Sequence, residues 1–361
     1  MNMRLGPFAI NKDNPPVFLA EIGTFFNKDI DMANNLLHQI IAIRDQVPYQ
    51  PLILKTEILN NANICLPVDY NESYAGKSGT VRKENYRALI ERKTLSLDHY
   101  STLFSSLRAA NLPFIVSVYE FDTAKFAVTQ GACALKTSSS NIVHIPLIRY
   151  LAKTGLPIII DTGRANLADI FNAVETARQA GCDRIIVEHS PDGHPALPEA
   201  HNLRMLQTLN KCFSLPVGLS DHYNGVEMLY LAVALGVSVL EKGVHLYPED
   251  IDQDLSHTMG IDQLSKVLAT VHNCWLALGK PIRDLNEPIK GVLGSSQRMC
   301  LVAKEELHCG DIINLDNVTF AFPCKGVPIQ YWDLVNGWQI KATIKAGEPI
   351  KWADVRQIND R

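Results

Sequence analysis

Lysine is ill suited to a buried strand, yet this chain places one inside each of two apolar runs, Lys55 in PLILKTE (51–57) and Lys136 in ACALK (132–136). A buried ammonium is costly unless an anion lies beside it. Two sources of that anion are open: internal carboxylates, with Glu21 and Glu57 as candidates, or a bound carboxylate or phosphate. In the second case each lysine acts as a point charge, and the hydroxyls of Ser139 and Ser220 add donors. A third run, LPVGLSDHYNG (215–225), changes midway from apolar residues to Ser220, Asp221 and His222. A strand ending in an Asn-Gly turn would account for the break without any chemistry. Alternatively, His222 and His245 form a metal pair, because imidazoles from neighbouring strands with an open coordination position suit a Lewis-acid site.

These residues need a scaffold that brings them together. From Val17 onward the chain alternates short β-rich runs with helical spacing. The runs are VFLAEI (17–22), PLILKTE (51–57), PFIVSVY (113–119), ACALK (132–136), LPIIIDT (156–162), RIIVEHS (184–190), LPVGLSD (215–221) and VSVLEKG (237–243). Between most of them lie helical segments such as MANNLLHQIIAI and LADIFNAVETARQAG. Continuously apolar strands alternating with helices predict a parallel sheet buried on both faces. Eight such units in about 260 residues match a (β/α)8 barrel. An open doubly wound sheet competes, but no GxGxxG follows the first strand.

Barrel chemistry gathers at the C-terminal strand ends. Those ends carry Glu21, Lys55 and Glu57, Lys136 with the TSSSN that follows, Asp161-Thr162-Gly163, Glu188-His189-Ser190, Ser220-Asp221-His222, and Glu241-Lys242 with His245 beyond. The long segment 58–95 would lie on the same face, after the second strand, as a candidate lid.

A chain of 361 residues exceeds the size at which single cores stop growing, so a second domain is expected. The barrel is assigned to 1–280, a Pro- and Gly-containing linker to 281–295, and a small β-rich domain to 296–361. The last of these alternates with period two and carries the half-repeat CGDIINLDNV and AGEPIKWADV. With 47% hydrophobic and 20% charged residues and a net charge of −4, the chain has neither the composition of a disordered protein nor the basic footprint of a nucleic-acid or anionic-lipid binder. Eight scattered cysteines with no CxxC pair read as reduced thiols. No secretory-type leader opens the chain, and LYLAVALGVSVLE is too short to span a membrane, so a cytoplasmic, soluble protein is expected.

The motifs AEIG (20–23), Lys55, KTSSS (136–140), IDTG (160–163), GLSDH (218–222), LEK (240–242) and DLSHTM (254–259), with LGSS (293–296) and the C-terminal segment, resemble the sialic acid (N-acetylneuraminate) synthase family in its order. That family condenses phosphoenolpyruvate with an amino-sugar aldehyde and water to give a nine-carbon 2-keto-3-deoxy acid. The resemblance implies a (β/α)8 barrel followed by an antifreeze-like (SAF) domain, in a domain-swapped homodimer. It implies that Lys55, Lys136, Ser139 and Ser220 hold phosphoenolpyruvate and that His222 and His245 hold a divalent metal, Mn²⁺ or Mg²⁺, against the aldehyde. Glu21 would orient water or move a proton, and Glu57, Asn141, Asp161 and Asp254 would face the substrates.

Several positions depart from the family pattern. Phe25-Phe26-Asn27 stand where it has Asn-His, Glu57 where it has Gln, Val118 where it has Thr, Asn141 where it has Glu, Asp161 where it has Ser, and Phe322 where it has an Arg before Pro, with Lys325 nearby. The family's metal histidine directly follows Glu-Lys/Arg. Here Gly243 follows, and His245 lies two residues later, about 6.6 Å further along an extended chain. The altered acceptor positions point to a different aldehyde, such as a modified hexosamine. A non-catalytic relative that binds a sugar or phosphorylated metabolite is the competing reading, and an aldolase using Lys136 as a Schiff base is a third.

Overall fold

The computed structural model describes residues 3–24, 26–281 and 297–358. The chain divides into two units, Met1–Gly279 and Lys280–Arg361. Phe25 and most of the expected linker, 281–295, lie outside the described residues, as does LGSS.

The first unit is the expected barrel. Its strands are β1 (Val17–Glu21), β2 (Leu52–Glu57), β3 (Phe114–Val118), β4 (Ala134–Thr137), β5 (Ile158–Asp161), β6 (Ile185–His189), β7 (Val217–Asp221) and β8 (Val239–His245). All pair in parallel, and β8 closes onto β1 through Val239–Val17 to Gly243–Glu21. A helix follows each strand. Those at Ile30–Gln46 and Leu167–Gln179 start on the side-chain caps Asp29 and Asn166, which accept from otherwise orphaned backbone N–H groups.

Alternation decides what each strand side contributes. Phe18, Ala20, Leu52, Leu54 and Val116 point outward into the layer shared with the helices. Leu19, Ile53, Ile115, Ala134, Ile159, Ile186 and Val239 point inward and form an apolar floor. An N-terminal hairpin, Met3–Leu5 against Phe8–Ile10, adds Met3, Leu5 and Ile10 to that floor. Each large aliphatic side chain buried there contributes about 1.5–3 kcal/mol.

The segment 58–95 is structured. A hairpin pairs Asn71–Ala75 with Val81–Asn85, and the helix Tyr86–Lys93 follows. Leu59, Ala62, Cys65 and Ile90 form its own small core. Arg92 and Lys93 reach Asp252 at 2.5 and 2.9 Å, tying this segment to the loop after β8.

The second unit has its own core of Leu301, Ile313, Val318, Val327, Ile340 and Ile350. Cys300–Ala303 pairs antiparallel with Val318–Ala321, and Gln339–Ile340 with Val355–Arg356. The half-repeat seen in sequence recurs as a turn, since Gly310 and Gly347 both sit at positive φ, 104° and 83°, where a side chain is strained. Phe322 and Lys325 are exposed on this unit.

Candidate functional site

Two residues past the apolar floor, every strand presents a polar side chain to the barrel interior. These are Glu21, Lys55, Ser117 and Lys136 on β1 to β4, and Asp161, Glu188, Ser220 and Glu241 on β5 to β8. All are buried or nearly so. All but Glu188 line the base of a cavity of about 230 Å³ at the C-terminal mouth, whose upper wall includes Glu57, Tyr119, Ser139, His194, His222, Asp254 and His257. A larger cavity of about 1190 Å³ opens on the flank among Arg164, His189, Met205 and Met228, but neither Lys55 nor Lys136 lines it.

Both lysines are paired internally. Lys55 Nζ contacts Glu21, with Glu57 at 3.3 Å and Glu241 at 3.5 Å. Lys136 Nζ lies 2.5 Å from Glu188, 2.7 Å from Glu241 and 3.0 Å from Asp161. Of its three N–H donors, Lys136 gives one to Glu241 Oε1, while Asp161 and Glu188 stand beside it as ion-pair partners. The same Glu241 oxygen that Lys136 touches accepts from the Ser220 hydroxyl at 3.1 Å. The sequence placed Glu21 and Glu57 with the lysines, and for Lys55 both are present. The partners of Lys136 come instead from β5, β6 and β8.

Charge in this layer is set by burial against proximity. Burial pushes Glu188 up to about 8 and Glu21 up to about 7, against the pull of Lys136 and Lys55. Burial also opposes ionisation of Asp161 and Glu241, but Lys136 prevails, and both are held below the usual carboxylate range. Burial disfavours charge on the lysines too, yet Glu21 next to Lys55 and Glu188 and Glu241 next to Lys136 outweigh it. At neutral pH the ammonium of Lys136 therefore faces the ionised Asp161 and Glu241, while Glu188 is largely protonated and Glu21, beside Lys55, is near its midpoint.

Further up the mouth, His222 meets His194, which the sequence did not single out, and His257 of the DLSHTM element, to which it gave no role of its own. Ring centroids lie 4.3 Å apart for His194 and His222, 4.6 Å for His222 and His257, and 5.2 Å for His194 and His257. Burial first, and then the neighbouring imidazole of His194 for His222 and of His222 for His257, holds both well below the ordinary histidine range, so both are neutral. Their Nδ1 atoms are buried without a hydrogen-bond partner. Asp254 Oδ1 lies 3.8 Å from His194 Nε2.

His245 is not brought to His222. It lines a separate cavity with Asn27, Met32, Arg82 and Asp252, and its Nδ1 accepts from the Tyr247 backbone. Advancing two residues along β8 keeps the face but leaves the mouth. Asn141 ends a single 3₁₀ turn, Ser139–Asn141, and does not line the mouth. Asp221 and Lys242 point away from the interior, where they form a fully buried pair at 2.8 Å. His201 Nε2 lies 3.2 Å from the same carboxylate. Ser117 could have been found by counting two residues past the last inward apolar position, whereas His194 lies in a loop and His257 ends the 3₁₀ turn Leu255–His257, where no strand period applies. Among the described residues, no group of three or more His, Cys, Asp or Glu side chains is arranged to hold a metal ion.

A closed eight-stranded parallel barrel whose ionisable groups converge on its C-terminal mouth has the layout of a barrel enzyme. The chain belongs to the NeuB family, which matches residues 53–283, and an SAF domain matches 298–356. It is 25% identical over 339 residues to the N,N'-diacetyllegionaminic acid synthase of Campylobacter jejuni, covering 93% of this chain and 98% of that one. It is 24% identical over 344 residues to the pseudaminic acid synthase of Helicobacter pylori, covering 95% and 98%. A solved putative spore coat polysaccharide biosynthesis protein E from Chromobacterium violaceum shares the fold at a TM-score of 0.71 and 20% identity, over 94% of this chain and 99% of that one. Among the described residues no helix is long and apolar enough to cross a membrane.

Proposed function

We propose that the protein condenses phosphoenolpyruvate with an amino-sugar aldehyde and water, releasing phosphate and a nine-carbon 2-keto-3-deoxy acid of the sialic, legionaminic or pseudaminic type. The observation that carries this reading is the ring of buried ionisable groups, with Lys55 and Lys136 at its centre, in a NeuB-family barrel. Lys55 and Lys136 neutralise the carboxylate and phosphate of phosphoenolpyruvate, and Ser139 and Ser220 donate to its oxygens. The vinyl carbon bonds to the aldehyde carbon, water adds to the adjacent carbon, and phosphate leaves with cleavage of its C–O bond. Glu21, poised near 7, takes the proton of that water. Glu57, Asp161 and Asp254 face the acceptor. A divalent cation, Mn²⁺ or Mg²⁺, held by His222 and a second imidazole supplies Lewis-acid polarisation of the aldehyde oxygen when bound. The protein acts as a cytoplasmic homodimer.

The three carboxylates already within ion-pair distance of Lys136 favour a second reading, a relative that binds a sugar or phosphorylated metabolite without turnover. Phosphate release from phosphoenolpyruvate with Mn²⁺, across N-acetylmannosamine and a panel of hexosamine and diamino-hexose acceptors, separates the two. Release with at least one acceptor supports the synthase; its absence with all of them, while phosphoenolpyruvate still binds in calorimetry, supports the non-catalytic relative.

A further inference from the structure

We infer that Cys300 and Cys324 of the small domain form a reversible dithiol–disulfide site, which a low-molecular-weight disulfide oxidises and which clamps the loop 322–326 when closed. Neither residue has a part in the synthase reading above. All eight cysteines are free, and these two are brought together by the fold. Cys300 opens the strand Cys300–Ala303 and pairs with Ala321, and the chain beyond Ala321 turns back over the Cys300 sulfur. Cys300 Sγ lies 3.7 Å from the Pro323 carbonyl oxygen and accepts from the Lys325 N–H at 3.3 Å. Those two peptide groups flank Cys324, so the Cys300 sulfur is within about 6 Å of the Cys324 Cα. The Cys324 thiol is hydrogen-bonded to that of Cys300.

The loop is fixed at both ends and weakly tied between them. One end is the pairing of Cys300 with Ala321. At the other, the Val327 carbonyl accepts from Leu301 at 2.9 Å and the Val327 N–H donates to Ile350 at 2.7 Å. Between these anchors the Lys325 N–H rests on a thiol sulfur, which is a weak acceptor. A disulfide replaces the sulfur contacts by a covalent tie and removes loop-closure entropy from the unfolded chain. Phe322 and Lys325, both exposed on this loop, are then held in one arrangement.

Exposure sets the order of the reaction. Cys324 is half-buried and Cys300 is 1% exposed, so the external disulfide meets Cys324 first. The Cys324 sulfur attacks one sulfur of the reagent, and its proton leaves with the released thiol. Cys300 then gives up its proton and attacks the Cys324 sulfur of the mixed disulfide, expelling the second thiol. One reagent disulfide is thereby reduced to two thiols while two cysteine thiols are oxidised to one disulfide. Burial and the neighbouring Cys300 push the Cys324 thiol up, which slows the first step. The ratio of disulfide to thiol in the surroundings, rather than speed, sets the state of the pair.

The test incubates the full-length protein in mixtures of oxidised and reduced glutathione, stops exchange with acid, and maps disulfides by mass spectrometry without reduction. Wild type should accumulate a Cys300–Cys324 cross-link with loss of two hydrogens, reversed by dithiothreitol. C300S should stop at a glutathione adduct on Cys324, and C324S should give neither product. Hydrogen exchange at the amides of Cys324, Lys325 and Gly326 should slow more than about tenfold on oxidation. An adduct that persists on wild-type Cys324 without the cross-link, a cross-link formed only in urea, or no reaction at either residue under conditions that modify the exposed Cys212 and Cys309 overturns the inference. Unchanged exchange of the loop in the cross-linked protein overturns it too. Should a variant not fold, the wild-type disulfide map and its loop exchange decide alone.

Discussion

Replacing Glu188 by Gln tests the charge arrangement of the interior most directly. Glu188 ionises at about 8 in the folded protein, against an ordinary 4.5. Below 4.5 the group is protonated whether the chain is folded or not, and it has no influence on stability. As pH rises from 4.5 to 8, the unfolded chain releases this proton while the folded chain retains it, so the folded state loses stability relative to the unfolded one. At about 1.4 kcal/mol for each pH unit, the accumulated loss by pH 8 is about 5 kcal/mol. Glutamine keeps the shape and neutrality of the protonated acid and is exempt from that loss.

Wild type and E188Q should therefore melt nearly together at pH 5. At pH 8 the variant should melt higher, by an amount on the order of 10 °C. Thermal and urea unfolding across pH 5 to 8 measure the gap. A gap that stays constant with pH would show that Glu188 ionises normally, and that the assignment of Lys136's charge to Asp161 and Glu241 alone is wrong.

K136M leaves Asp161, Glu188 and Glu241 without their cation. It should cost about 3–5 kcal/mol, more at pH 8 than at pH 5, and abolish phosphoenolpyruvate binding in calorimetry. D221N breaks the buried pair with Lys242 and should cost a similar amount in urea unfolding, whereas substituting the exposed Asp192 should change stability by less than about 0.5 kcal/mol. G243A drives a methyl into Thr258 and should cost about 1–3 kcal/mol by thermal melting. T258S should restore much of it, and an unchanged melting point in G243A would refute the close packing there. Phosphoenolpyruvate binding at pH 8 should take up protons, because an anion on Lys136 displaces a carboxylate that then protonates. Calorimetry in buffers of different ionisation enthalpy measures this, and equal heats in all buffers would refute it.

The eight apolar runs located the strands within a residue or two because parallel strands buried on both faces have no polar positions to blur them. Lys55 and Lys136 stood out for the same reason, being charges inside such runs. Their counter-ions were harder to assign. Which carboxylate meets Lys136 depends on the stagger of neighbouring strands around the closed barrel, and no single strand records it. Ser220-Asp221-His222 looked like one polar cluster, yet the two-residue period turns Asp221 to the helix side and leaves Ser220 and His222 facing in. For His245 the same period was read correctly for face but not for height. His194 sits in an irregular loop and His257 ends a single 3₁₀ turn, so only the folded chain shows that they share a space with His222.

One oxygen of Glu241 serves Lys136, Ser220 and, at longer range, Lys55. Sharing on that scale constrains how such a barrel can diverge. A substitution at any one of these positions changes the proton affinity of the others, so its effect depends on which residues already occupy the neighbouring strands. Asp161 and Glu188 are tolerable beside Glu241 because Lys136 is present and Glu188 holds its proton. Changes of substrate preference in this protein's lineage are thus expected to proceed through correlated exchanges across β4, β5, β6 and β8, with single reversions toward a relative's residue often failing where paired ones succeed.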